Sequence, residues 1–159
     1  MASFTELSLR DRVLLAAYPW RRVEAPACVA LRWLAGARVA IVSSAGFYRR
    51  DVDAPFRAIA GGDTSFRVIP ADVDFGTLVL GQASHSFDRR ALVADPASGL
   101  PIPHLHTLAG TGIIGSVATR HVSFNGSILA PGRLVKQTGP QVADVLSEDQ
   151  VDLALFVPV

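Results

Sequence analysis

Residues 38–46 read Arg38-Val39-Ala40-Ile41-Val42-Ser43-Ser44-Ala45-Gly46. Apolar side chains on successive rather than alternate positions mark a strand buried on both faces, the pattern of a parallel sheet covered by helices. The strand empties into a loop of small residues, and Gly36, just upstream, closes a preceding helical stretch. A second run of the same kind, Val151 to Val159, is nearly continuous in apolar residues. Two such strands with helical patterns between them predict a mostly parallel sheet.

The segments around this frame follow from their periodicity. Ser8 with Asp11 three positions on is an N-cap pattern, and Val13, Leu14, Ala17 and Tyr18 then share a helical face that must end before Pro19. A short second helix is expected from Ala25 to Leu34. Gly61-Gly62-Asp63-Thr64 is a turn, Ser65 to Pro70 alternates as a half-buried strand, and Leu78-Val79-Leu80 is a weaker strand. Residues 81–104 have no sustained period and read as a long loop. Leu105, Leu108, Ala109 and Ile113 recur at helical spacing up to Gly115, and Val122-Ser123-Phe124 is a strand ended by Asn125-Gly126. Leu134, Val135, Thr138, Val142, Val145 and Leu146 form another helical face, which Pro140 either kinks or splits into two helices. The expected fold is α/β, three-layered, with helices on both faces of the sheet as in Rossmann-like and flavodoxin-like proteins. It is expected as one domain over 1–159, with a helical N-terminal segment (1–36) and a core (37–159).

Composition narrows the function. The 159 residues are 50% hydrophobic and 18% charged, enough for an ordinary core. The net charge of +1 comes from interspersed residues, so there is no basic stripe for nucleic acid. The apolar stretch Ala27 to Val42 is broken by Arg32, Gly36 and Arg38, short of the ~20 residues of a membrane span. Met1 to Arg12 is charged and the apolar run after it is too short for a signal peptide, so a cytoplasmic protein is expected. Cys28 is the single cysteine, which excludes an internal disulfide within these residues, and its apolar neighbours make it a weak candidate for a thiol nucleophile. Neither a Gly-x-Gly-x-x-Gly nor a Walker-type loop is present, and no cofactor is expected.

Six residues stand out as candidates for binding a small substrate. Ser43 and Ser44 follow the first strand, where hydroxyls and backbone N–H groups can hold a carboxylate or phosphate. Asp63 and Arg67 could orient a carboxylate or amine substrate bidentately, or form a structural ion pair that braces the loop. Arg120 and His121 precede a strand, Arg120 as an anion clamp and His121 as a candidate acid toward a leaving amine, or both as loop braces. Asp72 with Asp74, and His85, His104 and His106, lack the further ligands that a metal site needs, and no metal is expected.

Four segments in this order, Ala40 to Gly46, Gly62 to Pro70, Ala71 to Asp74 and Arg120 to Gly126, resemble the glycine/sarcosine/betaine and D-proline reductase selenoprotein B family. The second is the most specific, and the similarity continues through Gly112-Ile113-Ile114-Gly115 and Ser147 to Val159, covering roughly residue 38 onward. The chain departs from the family at Ser98 to Pro103, at His104 and His106, and at Asn125, where the family has Met.

The resemblance implies an oxidoreductase subunit that cleaves a small amino-acid or betaine-like substrate reductively, with a thioredoxin-type reductant and partner reductase subunits. In that family a Sec/Cys-x-x-Cys motif follows the last strand. The redox residue is therefore expected directly after Val159, the chain being cut short at a selenocysteine codon. The alternative expectation is a redox-inactive subunit for substrate binding or assembly.

Overall fold

The computed structural model describes residues 8–17, 31, 33–82 and 89–159. The chain divides into two compact units, Met1–Ala30 and Leu31–Val159. The first contains α1 (Leu9–Ala17), whose first turn closes through Arg12 N–H to Ser8 O at 3.0 Å. Its described residues lie ahead of Pro19, whose ring disfavours helical backbone in the residue before it. Of the helix expected from Ala25 to Leu34, all but Leu31, Trp33 and Leu34 lies outside the described residues; Leu34–Gly36 is a 3-10 turn.

The second unit is organised by β1 (Arg38–Ser43). Val39 pairs in parallel with both Val117 of β5 (Ser116–Val117) and Leu153 of β7 (Leu153–Val157), and Val42 pairs with both Val122 of β6 (Arg120–Phe124) and Phe156 of β7. Strands β5 and β6 therefore share one side of β1, and β7 takes the other. From β5 to β6 the offset against β1 grows from 78 (Arg38 with Ser116) to 80 (Val42 with Val122), so the register slips by two residues around Ala118 and Thr119. Beyond β6, β3 (Phe66–Pro70) adds an antiparallel edge. A separate two-stranded ribbon joins β2 (Phe47–Arg49) to β4 (Leu78–Leu80). The class is α/β with a mostly parallel sheet.

Alternation along β1 gives its two faces different neighbours. Val39 and Ile41 pack with Phe47, Ile69, Leu100 and Leu105, the last from α3 (Ile102–Gly110), in the hydrophobic core. Val42 on the other face joins Phe124 and Phe156 opposite Val142 and Leu146 of α4 (Gly139–Glu148), and this contact leaves an apolar groove of about 280 Å³. Pro140 sits in the first turn of α4, where a missing N–H leaves no helical hydrogen bond unmade. The residues ahead of it, Leu134–Thr138, form a π-helical turn, and the backbone stays helical from that turn into α4, with Gly139 N–H donating to Leu134 O.

Two expectations are corrected here. The stretch 81–104 is not a plain loop: it holds the short helix α2 (Arg90–Ala94), a 3-10 turn at Pro96–Ser98 capped by Asp95, and the start of α3. Its core residues Leu92, Leu100 and Ile102 are spaced too irregularly to show a period, because successive short elements present them. Strand β7 is apolar but mostly exposed, with Phe156 at 68% and Leu155 at 41%, because among the described residues it pairs only with β1. Composition marks a strand without revealing whether a neighbour covers it.

The asymmetry can be measured. Ile41→Ala, at a side chain with 0% exposure, is expected to cost about 2–5 kcal/mol in urea unfolding. Phe156→Ala, at 68% exposure, should cost less than about 1 kcal/mol in the same assay.

Candidate functional site

The carboxyl ends of β1, β6 and β7 converge, the place where open α/β sheets hold their ligands. Ser44 N–H donates to Val157 O at 3.1 Å, and Ala45 forms a bridge to Asn125. The Ser43 hydroxyl is buried, donates to Gly99 O at 2.6 Å and accepts from Ala45 N–H at 3.1 Å, so it ties the α2–α3 connection onto the strand end. Ser44 Oγ accepts from Val159 N–H at 2.9 Å. Gly46 has φ 75°, and a Cβ there would meet the Asn125 side-chain oxygen, so two separate constraints require glycine.

Beside these strand ends lies a cavity of about 280 Å³ lined by Arg57, Asp63, Gln82, Asn125 and Gly126 together with the loops 58–62 and 127–129. Ala130 N–H to Gly61 O at 3.0 Å joins the two loops. Gly62 allows the close approach, with φ 90° and only 2.8 Å from the position of a Cβ to Ile128 Cα.

Asp63 is 2% exposed and fully engaged. One carboxylate oxygen accepts from Arg57 N–H at 2.8 Å, the other from the Ser65 N–H at 3.0 Å and hydroxyl at 2.7 Å, and the Arg57 Nε is 3.7 Å away. Burial by itself would raise this carboxyl, but these hydrogen bonds and the Arg57 charge outweigh it and hold Asp63 below the usual range, ionised.

The ion pair of Asp63 is thus with Arg57 and not with Arg67. The Arg67 guanidinium stacks on Phe56 at 4.3 Å and donates to the carbonyls of Ala54, Pro55 and Phe66 and to Ser65 Oγ. It clamps residues 54–56 onto β3. Arg120 donates to Asp149 through Nε (2.9 Å) and Nη2 (2.6 Å) and to Glu148 at 3.0 Å, which raises its pKa and fastens the end of α4 to β6. Both arginines are committed to protein partners.

His121 is buried where the β5–β6 register slips. The slip leaves Ile41 N–H without a backbone acceptor, and His121 Nδ1 accepts it instead at 3.1 Å. The ring must then be the neutral Nε2–H tautomer. Burial, followed by the charge of His106, pushes its pKa down from 6.5 to about 4, against a smaller opposing effect of Asp149. Three buried side-chain atoms without a hydrogen-bond partner among the described residues are His121 Nε2, Ser123 Oγ and Asn125 Oδ1. By strand alternation all three belong to one face of β6 and its extension. Leaving such atoms unpaired costs about 1–3 kcal/mol each, which sets this row apart from the apolar core beside it.

The remaining candidates lie elsewhere. Asp74 caps the 3-10 turn Phe75–Thr77 by accepting from Gly76 N–H, and the exposed His106 approaches Ala71 O at 3.3 Å. Among the described residues no group of three His, Cys, Asp or Glu side chains could hold a metal, and no helix is long and apolar enough to cross a membrane. Cys28 and His85 lie outside the described residues. Arg57 and Gln82 escaped the sequence reading because isolated polar residues in loops carry no pattern, and Asn125 registered only as half of a turn dipeptide and as a departure from a family.

No protein-family model matches the chain, and no solved structure matches it. Over 118 residues it is 32% identical to the D-proline reductase subunit gamma of Acetoanaerobium sticklandii, covering 74% of this chain and 47% of that protein. The chain spans about half the length of this curated relative.

His121 gives the site region a signature in acid. Its folded pKa of about 4 lies below the ordinary 6.5, so between these values the unfolded chain binds the extra proton. This contribution is complete above pH 6.5 and is lost as pH falls toward 4, on the order of 3 kcal/mol in all. Urea unfolding across that window is expected to show the decline, and His121→Gln, which keeps an acceptor but cannot titrate, should flatten it.

Proposed function

From the relationship of this chain to the proline/glycine reductases, we propose that it is a subunit of an amino-acid reductase complex and holds the substrate while a C–N bond is cleaved reductively. In such a cleavage two electrons and two protons leave a dithiol, or a selenol–thiol pair, which closes to a disulfide or selenenylsulfide; the C–N bond opens and each fragment gains a hydrogen. A single Cys among 159 residues cannot supply that pair. We place the redox centre outside these residues, recharged by a thioredoxin-type protein and completed by partner subunits. Free thiols of this kind persist in the reducing cytoplasm, where we place the protein.

The observation that carries the reading is the cavity lined by Asn125 and the ionised Asp63 beside the strand ends, with the Asn125 Oδ1 buried against Gly46. An ionised carboxylate and a carboxamide in the cavity wall suit a substrate that brings N–H groups on a positive nitrogen. The cavity is smaller than the ~300–1,000 Å³ typical of sites for drug-sized ligands, a scale fitted to a metabolite of few heavy atoms. On a Rossmann-like three-layer reading, Ser43 and Ser44 shape the strand end beside it and Arg67 holds the segment leading to Arg57, while Arg120 and His121 lie farther down β6 and keep α4 and the sheet in place. The same count of one Cys also favours a second reading, a redox-inactive subunit that binds substrate or aids assembly.

Calorimetric titration of the chain with D-proline, glycine, sarcosine and betaine tests the proposal. The three ligands with N–H groups are expected to bind, and betaine, which has none to offer Asn125, should bind more weakly. Asn125→Leu should weaken the others about tenfold, the worth of one hydrogen bond. If none of the four binds, substrate holding is wrong and the assembly role replaces it; if the chain alone cleaves a substrate with dithiothreitol, the external redox centre is wrong.

A further inference from the structure

Arg57 lines a second, smaller cleft of about 180 Å³, together with Thr64, Ser65, Arg133, Gln137 and Gln141. Two arginines and two glutamines line this space, and among the described residues no carboxylate does. We propose that this cleft holds the carboxylate of a small ligand, with Arg133 as its anchor and Arg57 as the divide between the carboxylate cleft and the cavity of Asp63 and Asn125. The inference rests on the substrate-holding reading and adds to it the residues that recognise the acid group.

Arg133 is held more lightly than Arg49, paired with Asp53, or Arg120, paired with Asp149 and Glu148: among the described residues it has one hydrogen bond, from Nε to Gln137 Oε1 at 2.9 Å, and no ion pair. That bond fixes the plane of the guanidinium and leaves its two Nη groups unused, the pair of donors that a carboxylate accepts bidentately. Arg57 is 66% exposed at its side chain and reaches Asp63 only at 3.7 Å, so its fork is also free to turn to a ligand.

The backbone under Arg133 is built for this placement. The π-helical turn Leu134–Thr138 follows directly, and wide turns of this kind occur often at functional sites. Its last residue, Thr138, is buried and donates to Thr64 O at 2.7 Å, which pins the turn to the segment leading into β3. Gln137 and Arg133 are thereby brought to the same cleft as Ser65, whose hydroxyl already serves Asp63. A ligand with its acid group between Arg133 and Arg57 and its nitrogen toward Asp63 and Asn125 would meet opposite charge at both ends.

Titration of the whole chain with D-proline, D-prolinamide and inorganic phosphate tests the assignment. Native protein is expected to bind the acid at least about tenfold more tightly than the amide, with affinity falling as salt is raised. Arg133→Gln, at an exposed position that should leave the melting temperature unchanged, is expected to abolish that preference and leave amide binding as it was; Arg57→Gln should do the same in part. If both variants bind the acid as native does, the carboxylate cleft is wrong while substrate holding stands. If native protein binds no acid at all, both fall. Phosphate binding as tight as that of the acid, and competitive with it, would make the cleft a general oxyanion site and overturn the carboxylate assignment.

Discussion

Strand β1 has hydrogen-bonded neighbours on both sides, and the rest of the Leu31–Val159 unit is arranged by that constraint. Its residues Val39 to Ser43 are all buried, so a one-residue shift would exchange the partners of both faces at once. The slip between β5 and β6 shows how tightly the pairing is enforced. Where the backbone ladder fails at Ile41, a side chain is recruited to complete it, and the imidazole that does so is held neutral by its burial. A group that looks catalytic by type is here part of the sheet.

The same economy governs charge. Asp63, Arg67 and Arg120 each satisfy several backbone or side-chain partners, and together they lock loops to strand ends. Around these fixed charges lie the groups that keep capacity among the described residues: the buried Asn125 oxygen, the exposed fork of Arg57 and the Nη groups of Arg133. Recognition by such a site depends on what the fold leaves unsatisfied, because a buried polar atom gains most from the partner it still lacks. Loop crossings at Gly46 and Gly62 shape the cavity of Asp63 and Asn125, and Arg57 stands between it and the cleft of Arg133.

Local chemistry explains which features the sequence determined by itself. The apolar run at Val39–Val42 specified a buried strand and the periodic apolar face specified α3 and α4, because each signal depends only on near neighbours in the chain. The α/β class and mostly parallel sheet follow from those same runs. Resemblance of the segments at 62–70 and 120–126 to reductase sequences pointed to the same kinship that the D-proline reductase subunit shows. Tertiary structure alone decided the exposure of β7, the partnership of Asp63 with Arg57 rather than Arg67, and the burial of His121 as an acceptor for Ile41. Those outcomes depend on which groups meet across 6, 80 or 114 positions of chain, as for Arg57 with Asp63, Ile41 with His121 and Val39 with Leu153. Residue type fixes what a side chain can donate or accept, but only the folded path of the backbone fixes which partner it finds and which capacity remains for a ligand.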